Sequence, residues 1–128
     1  MESLLGTVRR ADIIFRANGR FDLTARVVRA MGIKPGDVID VLRDEREYYL
    51  YVSRHFDSPS SARYEGQVFP SKKGVALHFR GSSRRLCTAM LSAANAVNRV
   101  ALPCGEVIVE PNRRRLLPII VRLNLSRV

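Results

Sequence analysis

An α+β fold made of two strand–strand–helix–strand–strand halves is predicted by three observations. Asn18-Gly19, a pair in which both residues tolerate positive φ, separates two short apolar stretches. Val27, Val28 and Met31 form a helical stripe that stops at Gly32 and Pro35. The same order of elements then recurs after a Ser/Pro-rich segment, with Gly36-Asp-Val-Ile and Gly105-Glu-Val-Ile in equivalent places.

The elements follow in order. Val8 to Arg16 has strand composition centred on Ile13, Ile14 and Phe15, and Arg20 to Leu23 is the return strand, with Phe21 and Leu23 alternating against Arg20 and Asp22. Thr24 is the expected N-cap of a short helix through Arg26–Met31. Lys34-Pro-Gly-Asp makes a turn, Val38 to Arg43 a strand, Asp44 to Glu47 a charged turn and Tyr48 to Ser53 another strand. The inward positions Val27, Met31, Ile33, Val38 and Ile39 are expected to be buried. Residues 54–63 read as a linker between a first half, 1–53, and a second, 64–128. In that second half Tyr64 to Phe69 and Val75 to Phe79 are strands around a turn at Pro70 to Gly74. Ser82 or Ser83 caps a helix reaching about Asn98, with Leu86, Met90, Ala93 and Val97 at helical spacing. Gly105 to Glu110 and Leu116 to Leu123 are the last strands, joined by the turn Pro111 to Arg115. Each half is close to the size at which a lone core is marginal. The halves must therefore share a core within the chain, as a pseudo-dimer, or pair between copies as a homo-oligomer.

At 46% hydrophobic residues the 128-residue chain can build such a core, and no apolar run approaches the length of a membrane span. The first ten residues lack the basic-then-apolar layout of a signal peptide, so a cytoplasmic location is expected, with Cys87 and Cys104 as free thiols. Net charge is +10, which makes polyanions the natural partners and nucleic acid the leading class, ahead of an anionic membrane surface. The excess is concentrated: residues 1–53 carry nine Lys/Arg against eight Asp/Glu, and residues 54–128 thirteen against four. Within the first half, Met1 to Lys34 is basic and Asp37 to Glu47 acidic, a layout that would give one fold a basic and an acidic end.

The run Phe15-Arg-Ala-Asn-Gly-Arg-Phe-Asp-Leu-Thr-Ala-Arg-Val-Val-Arg-Ala-Met-Gly-Ile-Lys-Pro-Gly-Asp-Val-Ile resembles the AbrB/MazE/SpoVT swapped-hairpin pattern over about residues 8–53. The coincident spacings are Gly19-Arg20, Gly32-Ile33 and Gly36-Asp37. Thr24 stands where that family usually has proline, Val28 replaces one of its helix arginines, and Ile13 and Ile14 replace basic residues of the first strand. The resemblance implies a small swapped-hairpin β-barrel formed by interleaved hairpins, and a DNA-binding transcriptional regulator that meets duplex DNA through arginines beside the turn and on the helix. The expected contacts are Arg10, Arg16, Arg20, Arg26 and Arg29, with Arg16, Arg20, Arg26 and Arg29 at one end of the fold, away from the acidic turn. In the second half Lys72, Lys73, Arg84 and Arg85 occupy equivalent places. Arg113-Arg114-Arg115, the counterpart of the acidic turn, reads as a charged hairpin tip. The competing reading is an antitoxin-like module that binds a protein partner such as a toxin; an RNA-binding barrel is a third.

Catalytic patterns are missing. No phosphate loop, nucleophile elbow or triad spacing occurs, and His55, His78, Cys87 and Cys104 lack metal-site spacing, so neither an enzyme nor a cofactor is expected. Tyr48, Tyr49 and Tyr51 read as a half-buried strand rather than a base-stacking platform, and Ala89, Ser92, Ala93 and Ala96 as a helix face for close packing.

Overall fold

Ile13–Arg16 (β1) and Arg20–Leu23 (β2) form the hairpin expected around Asn18-Gly19, with Ile13 opposite Leu23 and Phe15 opposite Phe21. The computed structural model describes residues 10–55, 64–71 and 78–122. After the hairpin come α1 (Ala25–Met31), β3 (Val38–Asp44) and β4 (Glu47–Arg54), then β5 (Val68–Pro70), β6 (Phe79–Ser82), α2 (Arg84–Ala93), β7 (Arg99–Leu102), β8 (Ile108–Val109) and β9 (Arg115–Ile119). This is an α+β architecture of two antiparallel sheets. One has the order β5-β6-β2-β1-β7 and the other β3-β4-β9-β8.

The pairing between halves joins like strand to like strand. The return strand β2 lies against β6, the return strand of the second half, with Phe21 opposite Gly81 and Asp22 opposite Arg80. β4 lies against β9, with Tyr48 opposite Ile119 and Leu50 opposite Leu117. One hydrophobic cluster takes Phe15 and Phe21 from the first sheet, Leu50 and Ile119 from the second, Val27 and Met31 from α1, and Cys87 and Met90 from α2. Val27, Met31, Ile33 and Ile39 are buried as expected, whereas Val38 is half-buried. The described strands stay in two sheets and do not close into a barrel.

Both helices end in the same way. Gly32 takes a left-handed conformation, φ 62°, its N–H bonding to Arg29 O while that of Ile33 bonds to Val28 O. Asn95, φ 53°, repeats the device, with Asn95 N–H to Ser92 O and Ala96 N–H to Leu91 O. These are the two bonds of a Schellman motif. The second helix therefore stops at Ala93, not near Asn98, and Val97, expected in its apolar stripe, is 83% exposed. The chain instead turns into β7, which pairs with β1 and was not expected.

Other boundaries also move. Tyr64 to Gln67 form a turn rather than the start of a strand, closed by Gln67 N–H to Tyr64 O. β6 runs on to Ser82, which leaves Ser83 alone as the cap of α2; its hydroxyl accepts from Leu86 N–H at 3.1 Å. Thr24 holds the N-cap place of α1 with extended backbone, but its hydroxyl caps nothing. The expected strand segments at Val8, Arg9, Val75 to Leu77 and Leu123 lie outside the described residues.

Candidate nucleic-acid interface

The hairpin turn is built against the start of α2. Gly19 adopts φ +90°, and a β-carbon there would lie 2.8 Å from Arg84 Cγ, so the arginine stem lies across the turn where only glycine fits. Ser83 N–H bonds to Gly19 O at 2.7 Å and Asn18 Oδ1 accepts from Arg20 N–H at 3.0 Å. Arg20, directly after the turn, and Arg84, packed across it, come one from each half and are both exposed. Arg16 is nearby but occupied: its guanidinium lies 2.6 Å from Asp22, which also takes Arg80 at 2.7 Å. Burial raises the Asp22 carboxyl, but the hydrogen bonds and charges of Arg80 and Arg16 outweigh it and the net displacement is downward. Arg85 forks onto Glu65, with contacts of 2.7 to 3.2 Å, and Ser83 Oγ donates to the same carboxylate. The Arg85 bonds, then the Ser83 bond, hold the Glu65 carboxyl at about 2.

α1 carries a second group. Arg26 and Arg29 are exposed on the side opposite the buried Val27, Val28 and Met31. Arg26 bonds to Asp12 at 3.1 Å, and the same buried carboxylate oxygen accepts Cys104 N–H at 2.8 Å. Arg10 and Arg26 line one groove together with His78. Asp12 directly precedes β1 and lies at the end of the hairpin remote from Asn18-Gly19. Arg26 is therefore not at the end that Arg16 and Arg20 occupy, and the four expected contact arginines do not share one end of the hairpin. The cause is the chain path: α1 starts at Ala25, directly after the end of β2 that pairs with the entry of β1, so Arg26 begins at the end opposite the turn and there meets Asp12. Nor is Arg26 a free charge, since its removal would leave the Asp12 side chain, in a residue 3% exposed, with Cys104 N–H as its remaining partner among the described residues.

The Arg113–Arg115 turn does not lie where its repeat position suggests. β4 and β9 are antiparallel, so the turns of the two equivalent hairpins point to opposite ends of one sheet. Asp44 to Glu47 occupy one end; Arg113, Arg114 and Arg115 occupy the other, beside Lys34 and His55. Lys72 and Lys73 lie outside the described residues.

Asp12, Asp22 and Glu65 were not anticipated as partners that tie up arginines. The alternation of Arg20-Phe-Asp-Leu does put Asp22 on the outer face of its strand, but Arg80 is 58 residues away and Glu65 lies 20 residues from Arg85. No local pattern carries such pairs. Cys87 and Cys104 are free and buried, and burial pushes both thiols upward, which makes them core residues rather than reactive ones. Tyr48, Tyr49 and Tyr51 are half-buried in β4. No family model, curated protein or solved structure matches this chain.

Proposed function

We propose that this chain binds duplex DNA and acts in transcription regulation, its two halves taking the parts of the two subunits of an AbrB-type swapped-hairpin dimer. The pairing of like strands, β2 with β6 and β4 with β9, supports the dimer-like arrangement. The observation that carries the DNA reading is the distribution of ion pairs. Asp12, Asp22, Asp37, Glu65, Glu106 and Glu110 are taken by Arg26, Arg16, Arg80, His55, Arg85 and Arg114. Among the described residues Arg10, Arg20, Arg29, Lys34, Arg43, Arg46, Arg84, Arg113, Arg115 and Arg122 have no carboxylate ion-pair partner; Arg43 and Arg46 stand at the acidic turn, and the others lie away from it. Guanidinium forks of this kind suit phosphate oxygens and the O6/N7 edge of guanine. Arg20 and Arg84 at the hairpin turn and Arg29 on α1 are the contacts we assign first. Arg16, Arg26 and Arg85 hold the surface in shape through their carboxylates.

The test is a gel-shift series with duplex DNA, single-stranded DNA and structured RNA over a range of salt. Duplex should be retarded preferentially, and its affinity should fall with salt at a slope of about 0.9 per phosphate contacted. Arg20→Ala with Arg29→Ala should weaken binding without touching an ion pair. Preference for RNA would move the chain to an RNA-binding reading. Absence of any shift would favour the protein-binding, antitoxin-like alternative, to which the exposed Ile108 and Val109 on the short edge strand β8 lend a surface.

A further inference from the structure

The pocket at the C-terminal end of α1 has no part in the hairpin-turn surface. It has a volume of about 470 Å³ and takes Lys34, His55, Arg113 and Arg115 from three separate stretches of the chain. No carboxylate lines it among the described residues. Asp37, bonded to two of its residues, is fully buried, accepting Lys34 N–H at 2.8 Å and lying 3.0 Å from His55 Nδ1. That bond fixes the imidazole by one nitrogen and leaves Nε2 for another partner. Glu110 at the next turn is taken by Arg114, which also lies over the Tyr51 ring at 5.3 Å. Lys34, Arg113 and Arg115 thus converge without a counter-charge among the described residues.

A helix C-terminus by itself repels anions, because its last carbonyls point outward. Here three of them are covered. Val28 O accepts Ile33 N–H, Arg29 O accepts Gly32 N–H, and Ala30 O accepts Arg115 Nη1 at 3.2 Å. Arg115 spends one of its five N–H donors there and keeps the others. We propose that this pocket is a binding site for a phosphate group, held by Lys34, Arg113 and Arg115 with His55 Nε2 at its edge. That the phosphate comes from a duplex backbone rests on the DNA reading above. Arg29, one of the contacts assigned above, lies on the last turn of the same helix.

The experiment uses the full chain and the double variant Lys34→Gln/Arg113→Gly. Arg113 has φ 68°, so glycine relieves its backbone, and the side chain of Lys34 is in no hydrogen bond the fold needs, which keeps the variant folded. In one arm inorganic phosphate is titrated at constant ionic strength, with chloride as control, while the His55 ring signals are followed by NMR. A saturable, phosphate-specific shift in the natural chain that disappears in the variant is expected. In the second arm duplex binding is measured against salt. The variant should bind every duplex more weakly by the same factor, with the salt slope reduced by about one for each phosphate lost. No His55 response to phosphate together with an unchanged salt slope overturns the site. A His55 response with an unchanged slope keeps the phosphate site and assigns it to a free phosphate ligand. Failure of the natural chain to bind duplex at any salt defeats the DNA reading and leaves the first arm to decide the pocket.

Discussion

Thr24 and Ser83 stand at the same place in the two halves, and only one of them caps. Ser83 Oγ accepts from Leu86 N–H and donates to Glu65, whereas the buried Thr24 hydroxyl has no partner. Ser83→Ala should therefore lower stability by about 1 kcal/mol. Thr24→Val, which keeps the shape and removes an orphaned polar atom, should be neutral or stabilising by up to about 1 kcal/mol. Urea unfolding of the two variants checks the contrast, and equal losses would mean that both hydroxyls cap. Glu65 adds a pH signature. Its carboxyl is held at about 2, below the ordinary 4.5, so the folded state favours its ionised form. The contribution is complete above 4.5 and disappears as pH falls from there toward about 2, where the carboxylate protonates and releases Arg85 and Ser83. Thermal unfolding should show Glu65→Gln with a shallower loss of stability over that acid window than the natural chain; parallel curves would deny the linkage.

Among the elements, α2 is the one whose extent the residues state ambiguously. Leu86, Met90, Ala93 and Val97 continue a helical stripe, and nothing like Gly32 interrupts it. Asn95 does the same work, because its short polar side chain tolerates the left-handed region better than other non-glycine residues. Asn95→Gly should leave stability unchanged or raise it by a few tenths of a kcal/mol, while Asn95→Val should cost about 1–2 kcal/mol. The valine variant should also loosen β7, which amide exchange at Val100 and Leu102 would report. Unchanged protection there would show that β7 holds its place on β1 independently of the turn. The helix stop frees Arg99 to Leu102 to cover the outer edge of the hairpin, and that edge would otherwise be open to another chain.

At the scale of the whole molecule, the two halves complete each other. β2 and β4 both find their second neighbour in the other half, and the core draws on both. Residues 1–53 expressed alone would expose those two edges together with the apolar faces of Phe21 and Leu50. They should self-associate or remain largely unfolded, as sedimentation and circular dichroism would show. A folded monomer at low micromolar concentration would contradict the shared core. The antiparallel contact of β4 and β9 also sets the charge layout, with the acidic turn at one end of the sheet and the arginine turn at the other. A polyanion approaching this sheet is drawn to one end and turned from the other.

The features legible from the residues alone are those set within a few positions along the chain. The Asn18-Gly19 hairpin, the stop at Gly32 and the cap at Ser83 depend on backbone hydrogen bonds and φ preferences of near neighbours, and each stands where the residues indicate. The basic character of the surface was equally plain from composition. Which arginines are free was not, because Asp12 takes Arg26 across 14 residues and Asp22 takes Arg80 across 58. Whether the sheets close, that β7 exists, and that equivalent turns point opposite ways also depended on pairing between distant strands. Those choices follow from how two marginal halves bury their apolar faces against each other. Spacing along one chain does not encode that geometry.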